Sequence, residues 1–169
     1  MAEKLKGVFD SGPLIHLSQV NGTKTLRIFR EILVPDAVFL EVTRFDLPGK
    51  KEVLEAKNVV RKNLLGKTKD YAKLVAVKFG LELGECEAIA LAKQENINGF
   101  FTDDLNAREA AKEVGLEAHG SMGIITRAFR EGTITKDEAI EFVKKLHGES
   151  SLFITSDLVR EIISQINSF

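Results

Sequence analysis

Several features that would quickly assign this sequence to a class are missing from it. There is one cysteine, so no disulfide can form within the chain, and three scattered histidines do not have zinc-ligand spacing. The net charge of -1 does not indicate nucleic-acid binding, although a local basic patch is compatible with it. No apolar run approaches the roughly 18 residues that a membrane span needs, and the N-terminus lacks the apolar core of a signal peptide. These absences predict a cytoplasmic protein with no membrane partner.

The length of the chain, 169 residues, suits one globular domain. The chain is 44% hydrophobic and 29% charged, and it has no repeat, linker or low-complexity segment. Short apolar runs alternate with helical patterns, which predicts an α/β fold with a parallel sheet covered on both faces. We therefore predict a single domain over residues 1–169.

The predicted strands are short and apolar. Leu26, Ile28 and Phe29 have the spacing of a helix that precedes the second of these strands. The predicted strands are Leu5–Phe9, Ile32–Val34, a weak one within 58–65, Ile97–Phe101 and Glu117–His119.

Acidic residues lie at two of the predicted strand-to-helix junctions. Asp10 follows the first strand, and Asp103 and Asp104 follow the fourth. Aspartate is a favoured helix N-cap, so one acid at each junction needs no function. Capping does not explain Asp103 and Asp104 together. In open α/β sheets such junctions are also where ligands bind.

Three glutamates extend the set of candidate acids. Glu41 lies among apolar residues of a predicted helix, either on a narrow polar face or held inward for a purpose, and both alternatives stay open. Glu85 and Glu87 begin another helix and lie about 200° apart around it, so they cannot point to the same place. One of them can serve the helix N-terminus, and the other needs a different reason.

Convergence of these acids would require a counter-charge. Two carboxylates about 5 Å apart repel by roughly 3 kcal/mol at an effective dielectric constant of 20. Oxygen ligands without cysteine or clustered histidine favour Mg²⁺ or Mn²⁺ over zinc. A carboxylate-bound pair of such ions is a known device for phosphodiester hydrolysis.

The acids belong to a series of short motifs. In order along the chain these are Val8-Phe9-Asp10-Ser11, Val34-Pro35-Asp36 through Glu41-Val42, Gly84-Glu85-Cys86-Glu87-Ala88-Ile89-Ala90-Leu91-Ala92, Phe101-Thr102-Asp103-Asp104, Ala107-Arg108 and Gly120-Ser121-Met122-Gly123. In order and spacing they resemble the motifs of one family, the PIN-domain nucleases. The resemblance covers about residues 5–130, and residues 131–169 look like the C-terminal helical extension of a prokaryotic branch with a Gly-x-x-Gly after the last strand.

The resemblance implies both a fold and an activity. The fold would be a three-layer α/β/α sandwich around a mostly parallel central sheet. The activity would be a single-strand-preferring, Mg²⁺- or Mn²⁺-dependent endoribonuclease with a two-metal-ion mechanism, often the toxin of a toxin-antitoxin pair. RNA would be the substrate, and a cognate antitoxin protein and a homodimer are the further partners to test.

Four acids carry over as catalytic metal ligands. Asp10 is the first-strand ligand and Glu41 the second acid. Glu87 is the third, because Glu87-Ala88-Ile89 resembles the acid-Ala-aliphatic start of the family's central helix. Asp104 is the fourth, from the resemblance of Thr102-x-Asp104 to the family's Thr-x-Asp.

The remaining assignments follow from the same resemblance. Glu85 is then assigned to helix capping, and Asp103 is assigned as an additional metal ligand. Ser11, the hydroxyl neighbour of Asp10, and Arg108 are assigned to substrate binding. Because the third and fourth positions each carry a doubled acid, the member that binds metal in each pair stays open.

A second class of function competes with the enzyme. A non-catalytic nucleic-acid- or protein-binding module would keep the fold, with its acids serving only as helix caps. A phosphatase-like hydrolase is disfavoured because no second aspartate stands two residues after Asp10. The complete set of four acids favours the nuclease.

Overall fold

The predicted strands come together in one sheet. The computed structural model describes residues 4–169, and in it five strands lie in the order β3-β2-β1-β4-β5, with every pairing parallel. The strands are β1 Leu5–Phe9, β2 Phe29–Pro35, β3 Val59–Lys62, β4 Gly99–Phe101 and β5 Glu117–His119. The prediction of an α/β fold with a parallel sheet is confirmed.

Helices connect all the strands. A short 3-10 helix, Thr23–Ile28, precedes β2. The α-helices are α1 Ser11–Gln19, α2 Asp36–Thr43, α3 Lys50–Glu55, α4 Gly66–Phe79, α5 Leu83–Gln94, α6 Leu105–Glu113, α7 Ser121–Arg130, α8 Lys136–Glu149 and α9 Ser156–Ser168.

The strand order divides the helices between two faces. The step from β1 to β2 runs one way across the sheet, and the step from β3 to β4 runs the other way. Because parallel crossovers are right-handed, α1 covers one face, and α4 and α5 cover the other. α1 contacts α7 and α8, whereas α5 contacts α4 and the strands β1, β2 and β4. The predicted α/β/α sandwich is therefore confirmed.

An aromatic cluster lies at the centre of the sheet. Phe9 and Phe101 are directly paired across β1 and β4, and their rings stack with centroids 4.7 Å apart. Phe29 on β2 meets both rings edge-on, at 5.0 Å and 4.8 Å. Gly7 makes this packing possible, because a β-carbon there would lie 2.6 Å from the Phe101 ring. The cluster fixes the strands whose ends carry Asp10 and Asp104.

The segment before β2 differs from its prediction. The helix predicted from Leu26 is only the end of the 3-10 helix, and β2 already begins at Phe29. Leu5 pairs with Phe29, and the Phe29 ring fills the space beside Phe9. The apolar spacing is that of a helix, but tertiary packing of Phe29 decides in favour of the strand.

The last two helices pack on the rest of the fold. Thr135 caps α8 and exchanges hydrogen bonds with Glu138 in a capping box. α8 contacts α1 and α7, and α9 contacts α7 and α8. Within residues 4–169, no helix is long and apolar enough to cross a lipid bilayer.

Candidate functional site

The acids lie at the carboxyl edge of the sheet, where the strand order reverses. β1 and β4 are neighbours, yet the chain leaves β1 toward β2 on the opposite side. Such a switch point opens a crevice between the following loops. The Asp10 amide donates to the Phe101 carbonyl at 2.9 Å, so the two strands end side by side. Asp10 and the Thr102–Asp104 loop therefore enter the same crevice.

Asp10 is buried, and its side chain does not cap α1. Only 6% of Asp10 is exposed, and the Thr102 hydroxyl donates to Oδ2 at 2.9 Å. Burial raises the pKa of Asp10 to about 6, although hydrogen bonds from the Ser11 backbone and the Thr102 hydroxyl act to lower it. The charges of Glu41 and Asp104 act in the same direction as burial. A buried carboxylate that is costly to ionise and makes no helix cap points to a cation or proton partner.

Glu41 reaches the same crevice from α2. The residue is exposed, and the Ser11 hydroxyl donates to its Oε1 at 2.9 Å. Ser11 thus orients Glu41 in the structure, while substrate binding by Ser11 stays a prediction. A β-carbon on Gly84 of α5 would lie 3.2 Å from Glu41 Oε2 and 3.8 Å from Asp10 Oδ1. The missing side chain of Gly84 leaves a space bordered by both carboxylates.

The doubled acid of α5 has two different sets of partners. The Glu85 carboxylate accepts from the Glu82 amide at 2.9 Å and so completes a capping box, which confirms its predicted cap. Burial raises the pKa of Glu85 to about 7, and the charges of Asp10 and Asp104 add to the effect. Glu87 instead accepts from the Ala37 amide, at 3.1 Å, in the first turn of α2. Each acid thus has one carboxylate oxygen engaged at a helix N-terminus, Glu85 at that of α5 and Glu87 at that of α2.

Asp104 caps α6 and also faces the other acids. Its Oδ1 accepts from the Ala107 amide at 2.8 Å, and its own amide donates to the Thr102 hydroxyl at 3.1 Å. Thr102 therefore bridges Asp104 and Asp10. The second carboxylate oxygen of Asp104 makes no hydrogen bond among residues 4–169, and the residue is exposed.

Asp103 serves as an internal anchor. Its Oδ2 contacts His16 Nδ1 at 2.7 Å and accepts from the Ser121 hydroxyl at 2.6 Å, while Oδ1 accepts from the Ser121 amide at 2.6 Å. Burial raises the pKa of Asp103, but the hydrogen bonds from His16 and Ser121 outweigh burial and hold the pKa below its usual value. Both oxygens are occupied. The additional metal ligand predicted at Asp103 therefore has no free oxygen in this structure.

Arg108 lies beside this anchor. Its Nε donates to the Thr102 carbonyl at 3.1 Å, and Nη2 lies 3.8 Å from Asp103 Oδ1. A β-carbon on Gly120 would collide with the guanidinium and lie 2.7 Å from Asp103 Oδ1, so a larger residue there would displace these side chains. These contacts hold the guanidinium at the edge of the crevice. Substrate binding by Arg108 stays a prediction.

The oxygen ligands suit a hard divalent cation, although they do not converge on one point. Within the described residues 4–169, no three His, Cys, Asp or Glu side chains lie close enough to hold a metal ion. The donors nearest the Gly84 space are oxygens of Asp10 and Glu41, which is the chemistry of Mg²⁺ and Mn²⁺ sites. The exposed Glu41 has room to move. Holding an ion requires rotation of side chains and no change of the sheet.

Four residues around the acids were missed by sequence reasoning as site residues. They are Thr102, which bridges two acids, His16 and Ser121, which anchor Asp103, and Gly84, which leaves the space between Asp10 and Glu41. Gly84 carries a signal, because glycine in a helix that otherwise has good formers calls for a reason. His16 carries none, since its partner stands 87 residues away in the chain.

A comparison with known families agrees with this geometry. One family model, described as a PIN domain, matches residues 6–168. The matched range contains β2 to β5 entirely and every acid of the crevice. No curated protein matches the chain.

Proposed function

The chain belongs to the PIN-domain family, whose members are generally nucleases, and from this premise we propose that it is a metal-dependent endoribonuclease. The observation that carries the proposal is the buried Asp10 carboxylate, which borders the Gly84 space together with Glu41. A merely structural aspartate at this junction would cap α1, and the Asp10 side chain does not.

We assign the ion to four carboxylates, Asp10, Glu41, Asp104 and one acid of the pair Glu85 and Glu87. Each acid of this pair has one carboxylate oxygen hydrogen-bonded, Glu85 to the Glu82 amide and Glu87 to the Ala37 amide, and a second oxygen left for the ion. Thr102 holds Asp10, and Ser11 holds Glu41. When bound, Mg²⁺ or Mn²⁺ would activate water and neutralise charge on the phosphate, as two-ion sites do.

The chain's own residues would position the RNA. The crevice acids repel a phosphate until their charge is neutralised, so RNA is expected to bind productively only together with the cation. We assign Arg108, at the edge of the crevice, to binding the phosphates of the RNA backbone. Attack by water would leave 5′-phosphate and 3′-hydroxyl ends.

The test is cleavage of a fluorogenic single-stranded RNA by purified protein. Activity should disappear in EDTA and return with Mn²⁺ or Mg²⁺ but not with Ca²⁺, which is larger and tolerates irregular geometry. Asp10→Asn should be inactive, whereas Asp70→Asn, at an exposed aspartate of α4 paired with Lys73, should match wild type. Equal cleavage in EDTA, or 2′,3′-cyclic phosphate products, would reject the mechanism.

A non-catalytic binding module is the second candidate, and one observation favours it. A preformed metal site would bring at least three ligand side chains together, and no such group is found among residues 4–169. This candidate predicts that RNA binds equally well with and without Mn²⁺ and is never cleaved.

The toxin assignment needs a test in cells. If the chain is the toxin of a pair, its induced expression in a bacterial host should stop growth, and Asp10→Asn should abolish the arrest. A cognate antitoxin would then be sought as a protein that restores growth when it is expressed with the wild-type chain.

A further inference from the structure

A cavity of about 390 Å³ lies beside the acid crevice, and we name it the α6–α9 cavity. Its walls come from the start of α6, the start of α7 and the segment that joins α8 to α9. Asp103, Leu105 and Arg108 line it, and they surround Asp104 in sequence. A group bound in this cavity would lie against Asp103 and Arg108, at the edge of the acid crevice.

One wall of the cavity is apolar and exposed. Phe153 is 90% exposed and Leu105 is 69% exposed, and both line the cavity. By contrast, Phe9 and Phe100 are fully buried in the core. Because a phenylalanine ring left in water forgoes hydrophobic stabilisation, an exposed aromatic wall in a concave site indicates a binding partner.

The α6 side of the cavity also carries a positively charged group. Arg108 is fixed at Nε by the Thr102 carbonyl, and its side chain remains 30% exposed. A guanidinium has five N–H donors, so Arg108 retains donors beyond the one that Thr102 uses. Asp103 partly balances this charge, but the Asp103 oxygens are also shared with Ser121 and His16. Arg108 is therefore able to bind an anion at the rim of the cavity.

We propose that the α6–α9 cavity holds one unpaired base of single-stranded RNA, stacked on Phe153, with the adjoining phosphate at Arg108. This inference rests on the proposed nuclease function. An unpaired base has a flat face that suits the exposed wall of Phe153 and Leu105, and its backbone carries the anion that Arg108 binds. An apolar protein segment would cover the same wall but would offer no anion to the remaining donors of Arg108.

The proposal also predicts a preference for single strands. Stacking on an aromatic ring needs a base whose face is free, and bases within a duplex have no free face. The same stacking accepts any base, because each has a π-face, so little sequence preference is expected at this position.

The absence of tryptophan from the sequence permits a direct test. Phe153→Trp introduces a unique tryptophan, and a single-stranded oligouridine of about 12 nucleotides, within the span of known single-strand sites, serves as the probe. The measurement is made in Ca²⁺, which neutralises the crevice acids without supporting cleavage, so that the RNA can bind and stays intact. The oligouridine should quench the tryptophan fluorescence, and an abasic oligonucleotide of equal length should not.

The matched control uses the other end of the chain. Phe169 is 71% exposed, its ring lies 5.7 Å from that of Phe129, and it does not line the cavity. Phe169→Trp should keep its fluorescence when oligouridine is added. Quenching of both variants to the same degree would overturn the proposal, because it would show contact without a specific base site.

Affinity provides the second readout. Phe153→Ala should weaken oligouridine binding roughly 5- to 150-fold, the range measured for loss of one stacked base, and leave binding of the abasic oligonucleotide unchanged. Phe153→Tyr should keep the wild-type affinity, and Phe169→Ala should change it less than about twofold. Because Phe153 is exposed, its truncation leaves the core intact.

The outcomes separate this proposal from the proposed function. If wild type cleaves RNA while Phe153→Ala binds and cleaves it equally well, the base site is wrong and the nuclease stands. If wild type neither binds nor cleaves RNA, both are wrong. If Phe153→Ala instead turns a dimer into a monomer during sedimentation and leaves RNA affinity unchanged, the cavity is a protein contact and the base site is wrong.

Discussion

Asp10→Asn should stabilise the metal-free protein, which is an unusual result for a buried residue. Burial raises the pKa of Asp10 from 3.8 to about 6, so the folded protein resists ionising a group that ionises freely when unfolded. At 1.36 kcal/mol per pKa unit, the charged form costs about 3 kcal/mol at pH 8. Asparagine removes this charge and can still accept from Thr102. We expect a gain of about 1 to 3 kcal/mol, because the amide is itself costly to bury.

The pH dependence of this gain has a definite sign. Between pH 4 and pH 6 the folded protein holds the Asp10 proton while the unfolded chain loses it, so the contribution of Asp10 to stability falls as pH rises. The advantage of Asp10→Asn should therefore be absent near pH 4 and complete near pH 7. Urea unfolding of both proteins in EDTA from pH 4 to pH 8 measures it. An unchanged difference across this range, or a less stable variant at pH 8, would refute the reasoning.

Asp103→Asn is the matched control, and it should do the opposite. The hydrogen bonds from His16 and Ser121 hold the pKa of Asp103 low, so its carboxylate stabilises the fold above pH 4 and stops doing so as pH falls below that value. Breaking this buried cluster should cost about 3 kcal/mol at pH 7, or about 6 to 12 °C in melting temperature. Stabilisation by both substitutions would mean that the two aspartates have been distinguished wrongly.

Four further substitutions test the remaining positions. One of Glu85→Gln and Glu87→Gln should remove RNA cleavage, and the other should keep it and cost about 0.3 to 1 kcal/mol at a helix N-terminus; cleavage retained by both variants in a fluorogenic assay would exclude an acid of α5 from the ion site. Gly84→Ala should fill the space beside Asp10 and reduce cleavage without lowering the melting temperature, since alanine favours helix by about 1 kcal/mol; full activity would exclude that space as the ion site. Thr102→Val should cost about 1 to 3 kcal/mol, measured by urea unfolding, because it leaves Asp10 and the Asp104 amide without their bridge; an unchanged stability would show that the bridge does not matter.

The sequence predicts the sheet well because its signals are local. β1 and β5 have the predicted bounds, and β4 is the end of its predicted run. Each strand-to-helix junction carries its polar residues in the sequence, and parallel pairing alone brings Asp10 and Asp104 to one edge. The start of β2 is predicted wrongly because the position of Phe29 depends on its contacts with Phe9 and Phe101. No local sequence pattern indicates these contacts.

The partners of the acids depend on distant packing, so the sequence cannot assign them. Two aspartates in a row cannot show which one anchors and which one faces the crevice, because the answer lies in His16 on α1 and Ser121 on α7. Likewise, Glu87 meets Ala37 only after α2 packs against α5. The helical angle between Glu85 and Glu87 correctly indicates that the two serve different places, but not which place belongs to each.

The most direct test is a crystal soaked in Mn²⁺ and measured at the manganese absorption edge. The proposed function predicts an anomalous peak within direct ligand distance of Asp10 Oδ1, about 2.1 Å, with Glu41 and at least one of Glu85, Glu87 and Asp104 rotated toward it. The peak should be absent from an Asp10→Asn crystal soaked identically. A wild-type crystal with no manganese at Asp10, or with manganese only at acids outside the crevice, would contradict a metal-dependent nuclease site at this edge of the sheet.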